Sequence, residues 1–303
     1  MKMGYRRVET FLKDTGIRNM FLTASSLTRN RLLLVAPADG NLKPFTGKIT
    51  PSNQLHAGLL ADLQRLRGRI YLEDGAISRS DLTEDGRHLS DHHDEESWHL
   101  LLMTPEHRLV GCTRFRQHLN TVRACNLGVA KSPLAASFEW SHGFNASLGL
   151  ELETARAVGF SYVEVGGWAL DRSVRGTAEA LTSVLATFAW SRILGGALGI
   201  STATERNGSA SILRRLGGKP LEWDGAALPA YFDEKYNCMM EVLRFDSREP
   251  NPKYAHMIQN LADQIAKRPI VCPASHARRD TAPQYSPFQF NGFKPGEALR
   301  AAA

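Results

Sequence analysis

The sequence predicts an α/β fold, in the broad sense that includes α+β proteins, built on a central mixed sheet. Three observations predict it. Apolar runs of strand length alternate with helical patterns in the second half of the chain, at 161–170, 197–204 and 236–245. Two earlier runs, 98–103 and 108–115, flank a Pro-Glu-His turn and predict an antiparallel hairpin. The chain has 303 residues, 43% of them hydrophobic, which is enough to bury a core.

Helix signals place the other elements in order. A polar stretch at 73–97 separates the first helix from the hairpin. Further helices are predicted at 134–158, from about Gly176 onward, and at 208–216. The first helix has Ser52 as a good N-cap, and its leucines recur at helical spacing: Leu55, Leu59, Leu63 and Leu66.

Composition divides the chain into four parts. Residues 1–51 form a basic N-terminal extension with a short amphipathic helix near its start and a strand-like apolar run, LLLV. Residues 52–246 hold the predicted main domain, which contains the hairpin and the alternating strands and helices. Residues 247–268 contain an amphipathic helix that starts after Asn251-Pro252. Residues 269–303 are rich in Pro, Ala and Arg, and we expect them to be disordered.

Charge and cysteine usage narrow the class of protein. The net charge of +6 favours acidic partners, such as a phosphate-bearing cofactor or an acidic carrier protein. No nucleic-acid-binding motif accompanies it, so nucleic acid is not an expected partner. Four scattered cysteines without a C-x-x-C pair favour reduced thiols over a disulfide framework or a structural zinc. Since neither a transmembrane run nor a secretory signal is evident, we expect a cytoplasmic protein without integral membrane insertion.

The turn after the strand at 161–170 has the features of a phosphate site. The helix that follows presents unpaired backbone N–H groups and a partial positive charge at its N-terminus. The alternative is that the small residues of this turn only permit close packing of the helix on the sheet. Small side chains that would let a diphosphate approach, and arginines that add charge, are Arg172, Arg175, Gly176, Thr177, Ala178 and Ala180.

A second motif follows the next strand and completes a family pattern. TERNGSASILRRLGG spaces Asn207, Ala210, Leu213 and Gly218 as N-x-x-A-x-x-L…G. Together with the preceding RGTAEA at 175–180, it resembles the GNAT acyltransferase superfamily. Ala178 replaces one glycine of that pattern, and Arg214 replaces a tyrosine that can act as general acid. The resemblance implies a GNAT fold, with splayed parallel strands and helices on both faces of the sheet. It implies cofactor contacts at Leu170, Arg172, Val174, Arg175, Gly176, Thr177, Ala178 and Asn207.

The same resemblance places an acyl thioester between the strands 161–170 and 197–204, with the pantetheine arm along the first. Gly166 and Gly167 suit a bulge, which either frees a backbone N–H for the thioester oxyanion near Gly167 and Trp168 or serves only packing. Glu164 is a carboxylate in a strand, which is costly unless it is paired or titrating. We interpret it as the base that takes the proton of an attacking ammonium group. A salt bridge or an exposed position are the alternatives.

Reading outward from Glu164, the chain resembles one GNAT branch, the autoinducer (acyl-homoserine lactone) synthases and the related N-acyl amino acid synthases. Gly167 stands where the lactone synthases have an arginine of the substrate pocket. This difference disfavours lactone formation and favours N-acylation of an amino acid or a similar small amine. The fragments that carry the resemblance, by their order and spacing, are LRGRIY at 66–71, DHHD at 91–94, GCTRF at 111–115 and VEVGGWAL at 163–170.

The resemblance also implies an acceptor site formed by Arg67, Asp91, Asp94 and Arg114. Their opposite charges could hold an ammonium and a carboxylate, or they could form an ion-pair network that only orders the loop. Nearby histidines raise the question of a metal. No cysteine or second histidine pair supports one, so no metal is expected. These histidines are His88, His92, His93 and His99.

The expected reaction is transfer of an acyl group, expected to be a fatty acyl group, to the amine of the acceptor. The co-substrate is acyl-CoA or acyl carrier protein thioester, and no cofactor is permanently bound. Water, Tyr231 or Tyr236 would protonate the leaving thiolate. Two alternatives remain: a short-chain, acetyl-CoA-dependent GNAT acting on a small amine, and a non-catalytic acyl- or CoA-binding relic. A long acyl chain requires unblocked apolar space behind the splayed strands.

Overall fold

Ten strands form the main sheet in the part of the chain that the computed structural model describes, residues 31–89 and 93–278. A separate two-stranded ribbon is formed by β8 and β9. The strands are β1 Arg31–Val35, β2 Ile49–Pro51, β3 Trp98–Met103, β4 Leu109–His118, β5 Ser161–Leu170, β6 Ala197–Thr204, β7 Lys219–Pro220, β8 Glu222–Trp223, β9 Ala226–Ala227, β10 Tyr231–Asp233, β11 Cys238–Asp246 and β12 Ile270–Cys272.

The main sheet is mixed, and its order is β10-β11-β6-β5-β4-β3-β1-β12-β2, with β7 added to β11. β3 and β4 form the predicted antiparallel hairpin. At the centre, β5 and β6 pair in parallel. On its other side, β5 pairs antiparallel with β4, and β6 pairs antiparallel with β11. The predicted mixed sheet is therefore confirmed.

Helices cover both faces of this sheet, as predicted. On one face, α1 and α3 bury their apolar sides, and on the other face α4, α5 and α6 do so. Ser52 caps α1 through a hydrogen bond from the Leu55 N–H to its Oγ. The helices are α1 Asn53–Glu73, α2 Pro133–Ala136, α3 Ser141–Ala157, α4 Ala178–Ile193, α5 Ser209–Leu216 and α6 Ala255–Ile265.

The helix α4 is more deeply buried than its predicted apolar stripe implies. Every residue from Thr182 to Ser191 is buried, because α4 lies between the sheet and α6. A helix enclosed on this many sides must be apolar almost all round. Three of its hydroxyl groups, those of Ser183, Thr187 and Ser191, donate to carbonyl oxygens of the same helix.

Three predicted boundaries differ from the structure. The helix expected at 134–158 is two helices, α2 and α3, separated where Ser137 Oγ accepts the Trp140 N–H. The extension predicted at 1–51 is not separate, because β1 lies inside the sheet between β3 and β12. The predicted disordered tail begins with the buried strand β12, whose apolar triplet pairs in parallel with β1 and β2. The short helix expected near the N-terminus and residues 279–303 lie outside the described residues.

Within the described residues, no helix combines the length and the apolar character needed to cross a membrane.

Candidate active site

A cleft opens where the central parallel strands separate. β5 and β6 pair only from Ser161 with Ala197 to Glu164 with Ile200. Beyond this point they diverge around a cavity of about 570 Å³. This is the splayed pair that the motifs predict. The two strands contribute residues 164–170 and 200–204 to the cavity wall.

The strand β5 carries a bulge at the level of the cleft. Its register with β4 shifts between Cys112 and Arg114, so β5 has one residue more than β4 over this stretch. Gly167 has a φ of +61° there, in the left-handed region. A Cβ on Gly167 would also lie 3.1 Å from Nη1 of Arg67. Glycine is therefore favoured both by the backbone conformation and by the close approach.

Trp168, which follows in the bulge, is held from both faces of the sheet. Its indole Nε1 donates to Ser183 Oγ of α4 at 2.9 Å. The hydroxyl of Tyr71, on α1, donates to its carbonyl oxygen at 3.5 Å. These contacts fix the orientation of the peptide groups that line the cleft beside Gly167.

Glu164 points from the last paired residue of β5 toward the loop that precedes α2. Its Oε1 accepts the Val129 N–H at 3.0 Å, and its Oε2 lies 2.9 Å from Nε2 of His118. A Cβ on Gly128 would approach Oε1 to 3.2 Å, so glycine permits the loop to close on the carboxylate. The predicted strand carboxylate is thus paired, and it lines the cavity.

The charge state of Glu164 follows from these donors. Burial acts to raise its pKa, but the hydrogen bonds from His118 and from the Gly128 and Val129 backbone outweigh burial and hold the pKa at about 2. Such a carboxylate is a strong acceptor for a cation and an inefficient base at neutral pH. This is the paired state that was an alternative to a titrating base.

Arg67 and Asp94 form a buried ion pair behind the bulge. Only 2% and 3% of their side chains are exposed. Arg67 Nη1 donates to Asp94 Oδ1 at 2.8 Å, and Nη2 donates to Oδ2. Burial opposes both charges, but the pairing prevails; it raises the pKa of Arg67 and holds that of Asp94 at about 2.

Arg114 connects this ion pair to the cavity. Its Nη1 lies 3.7 Å from Asp94 Oδ1, and its side chain lines the cavity. Burial and the charge of Arg67 lower the pKa of Arg114. Because its guanidinium lines the cavity, its positive charge can attract an anionic group of a ligand.

At the opposite end of the cleft, α4 begins with Ala178, and Thr177 is its N-cap residue. The turn before it is ordered by Asp171, whose Oδ1 accepts the Ser173 N–H at 3.0 Å and the Ser173 hydroxyl. Gly176 has a φ of +72°, which glycine adopts without strain. The N-terminus of α4 thus meets the cavity, as a phosphate site requires.

The two arginines of this turn are paired near the surface. Arg175 donates to both carboxylate oxygens of Asp74, at 2.9 and 2.8 Å, and lines the cavity. Arg172 Nε lies 3.4 Å from Glu73 Oε2, and 74% of its side chain is exposed. Arg175 is therefore placed to meet a phosphate in the cavity, whereas Arg172 is not.

The hairpin of β10 and β11 closes the remaining side of the cavity. Tyr231 and Tyr236, the expected sources of a proton for the thiolate, both line it, together with Lys235. Burial raises the pKa of Tyr231, so its hydroxyl keeps its proton at neutral pH.

The structure brings most of the predicted site residues to one cavity. Asp91 lies outside the described residues. Predicted residues that line the cavity are Arg114, Glu164, Gly167, Trp168, Leu170, Arg175, Gly176 and Asn207. Predicted residues outside its wall are Arg67, Asp94, Arg172, Val174, Thr177 and Ala178.

Physical reasons explain why some predicted site residues do not line the cavity. The expected direct acceptor contact of Arg67 and Asp94 is not supported, because both are buried and paired with each other behind the bulge. Val174 packs into the core beside α4. Sequence reasoning gave no role to Tyr71, Lys131 or His93, which all line the cavity. Tyr71 lies one turn after Arg67 on α1 and therefore on the same face of the helix, and this spacing could have identified it as a site residue.

The histidines near the cleft serve different partners. Nε2 of His99 lies 2.8 Å from the carbonyl of Asp94, and His88 stacks edge-on against Tyr71. In residues 31–89 and 93–278, no group of three side chains suited to a metal ion occurs. His92 lies outside the described residues.

No family model and no curated protein matches the chain. Solved structures are similar over most of its length. A CoA-dependent acyl-homoserine lactone synthase, BjaI, matches at 18% identity over 84% of this chain and 100% of its own, with a TM-score of 0.47. FeeM, an N-acyl amino acid synthase from uncultured soil microbes, matches at 13% identity over 78% of this chain and 98% of its own, with a TM-score of 0.44.

An acyl-CoA N-acyltransferase from Pseudomonas aeruginosa matches at 13% identity over 71% of this chain and 98% of its own, with a TM-score of 0.35. These proteins belong to the acyltransferase classes that the sequence motifs predict. Since their identities and TM-scores are low, the chemistry of this chain has to be inferred from its own cleft.

Proposed function

We propose that the chain is an N-acyltransferase, which moves an acyl group from a phosphopantetheine thioester to the amine of a small acceptor. The observation that carries the proposal is the splay of β5 and β6 beside the left-handed bulge at Gly167. One end of this cleft meets a helix N-terminus, and the other end holds the ionised Glu164.

The donor lies along β5. The diphosphate of acyl-CoA rests on the N-terminus of α4 beside Arg175 and Gly176, and the pantetheine arm follows the β5 edge. The thioester carbonyl then reaches the bulge at Gly167 and Trp168, where a backbone N–H stabilises the oxyanion. An acyl carrier protein delivers the same arm, so CoA and carrier protein remain the two donor sources.

The acceptor approaches from the Glu164 end. The hydrogen bonds from His118, Gly128 and Val129 leave one of the four lone-pair sites of the Glu164 carboxylate, and its charge attracts an ammonium group. The exposed Lys131 and the half-buried Arg114 line the same part of the wall and suit a carboxylate. An amino acid, or an amine that carries an acid group, fits this distribution of charge.

One observation favours the short-chain alternative over a fatty acyl group. Behind the splay, the void between the sheet and α4 has only about 10 Å³ and is lined by Val165, Thr187 and Phe188, among others. Such a volume holds at most one water. Phe188 and Phe245 pack edge-on there, with ring centroids 5.8 Å apart, and block a long chain.

The test uses the purified chain with acetyl-, butyryl- and octanoyl-CoA and each of the 20 protein amino acids, with thiol release and product mass as readouts. We expect transfer from the shorter donors. Binding of CoA in a thermal shift assay without transfer from any donor would instead identify a non-catalytic relic.

Glu164→Gln tests the role of the carboxylate. It removes the charge while keeping a similar shape, so we expect kcat/KM for the amine to fall at least tenfold while CoA binding is kept. Glu153→Gln, on the exposed side of α3, is the matched control. An unaffected rate for Glu164→Gln would remove this residue from the mechanism.

A further inference from the structure

His93 lies in the turn before β3, and it lines the same cavity as Glu164 and the bulge. Its side chain is only partly buried. Ser97 Oγ donates to the His93 carbonyl and anchors the turn. Among residues 31–89 and 93–278, no side chain or backbone group hydrogen-bonds to the His93 ring.

His93 and Glu164 line the same cavity but differ in their hydrogen bonding. Both oxygens of Glu164 are engaged by donors from its own protein, and its charge is stabilised. His93 lines the same cavity, and within the described residues neither nitrogen of its ring has a hydrogen-bond partner. A base has to present a lone pair within reach of the proton that it takes.

The charges around His93 favour its neutral form. It is faced by Arg116 and Arg114 from β4, by Lys131 from the loop before α2, and by Glu164 from β5. Burial, followed by the charges of Arg116 and Arg114, lowers the pKa of His93, and Glu164 opposes this only in part. The imidazole is therefore neutral at pH 7 and able to accept a proton.

Resting on the proposed N-acyl transfer, we propose that the imidazole of His93, rather than the carboxylate of Glu164, takes the proton from the acceptor's ammonium group. Glu164 then binds and orients the ammonium, and His93 converts it to the nucleophilic amine. The two residues divide between them the tasks that sequence reasoning gave to Glu164 alone.

The ammonium passes one proton to a ring nitrogen of His93, and the nitrogen lone pair attacks the thioester carbonyl carbon to form the C–N bond. The tetrahedral intermediate expels the thiolate as the C–S bond breaks. The second proton of the nitrogen goes to the thiolate through water or a tyrosine. His93 returns its proton to solvent, so thioester and ammonium become amide, thiol and H⁺.

The test compares His93→Ala with wild type on a donor and amine pair that wild type converts. We expect kcat to fall by ~10²–10⁴-fold, the usual contribution of a general base, with KM for the CoA thioester unchanged. Added imidazole should restore part of the rate to His93→Ala. His256→Ala, on the exposed face of α6, is the matched control and should keep its rate.

The pH profile separates a base from a structural residue. A base whose pKa is lowered is active above that pKa, so wild-type kcat/KM should fall with pH only below the ordinary histidine value of about 6.5. His93→Ala should lack this limb. A thermal shift with CoA reports whether the variant is folded.

The outcomes are distinguishable. An unaffected rate in His93→Ala, or a loss that imidazole does not rescue and that leaves the pH limb in place, overturns the role of His93 and leaves the transferase proposal standing. Wild type that transfers from no donor to no amine overturns the proposed function itself, and this inference with it.

Discussion

The two ends of the cleft use arginine–carboxylate pairs in opposite ways. At the proposed acceptor end, Arg67 and Asp94 are 2% and 3% exposed and hold each other behind the bulge. At the donor end, the Arg175 and Asp74 side chains are 36% and 16% exposed and lie at the cavity wall. Removing one member of a buried pair leaves an uncompensated charge, whereas a pair near the surface contributes little.

The difference in burial indicates that one pair supports the fold, whereas the other can bind a ligand. Because separating the buried Arg67–Asp94 pair costs a large free energy, the pair acts as part of the core under Gly167. The Arg175–Asp74 pair can exchange its carboxylate for a phosphate at small cost. Burial, rather than residue type, decides which arginine is available to a ligand, and three variants test this difference.

The largest effect is expected at the acceptor end. Asp94→Asn leaves the Arg67 guanidinium buried without its counter-charge, so we expect a loss of about 3–5 kcal/mol in the free energy of unfolding. Chemical denaturation measures it. The double variant Arg67→Met/Asp94→Leu should recover much of the loss. A change below about 1 kcal/mol in Asp94→Asn would mean that this pair is no more important than a surface pair.

An intermediate effect is expected at the bulge between the two ends. Gly167→Ala places a Cβ at a φ of +61° and 3.1 Å from Arg67 Nη1, and should cost about 1–3 kcal/mol of unfolding free energy. Gly166→Ala is the matched control, since its φ is not in the left-handed region and its Cβ would meet only Arg114 Nη2, at 3.4 Å. Equal stability of the two variants would contradict the strained bulge.

The smallest effect on stability is expected at the donor end. Arg175→Ala should change the free energy of unfolding by less than about 1 kcal/mol, because the pair is partly exposed. It should nonetheless weaken CoA binding severalfold in calorimetry. Arg172→Ala removes an equal charge outside the cavity wall and should weaken binding less. If both variants weaken it equally, Arg175 provides only general charge.

Much of the fold was predictable because its elements have local signals. The hairpin, the strands 161–170 and 197–204, and the α1 cap at Ser52 follow from periodicity and capping chemistry. The strand β12 was missed because three residues carry no periodic signal. Its burial depends on β1 and β2, which lie more than 200 residues earlier in the chain.

The site was predictable in its position more than in its chemistry. The double glycine indicated the bulge, and the turn before α4 indicated the proposed donor end. His93 was considered only as a metal ligand, because its position opposite the charged residues of β4 and β5 depends on the tertiary fold.

The sequence by itself determined the order of the longer strands and helices, the bulge at Gly167 and the small-residue turn before α4, since each depends on the conformational preferences of neighbouring residues. Only the tertiary structure decided the charge states. Glu164 is ionised because His118 and Val129, 46 and 35 residues away in the chain, reach its oxygens, and Asp94 because Arg67 does. Electrostatic interactions depend on distance and burial in space, and neither can be read from spacing along the chain.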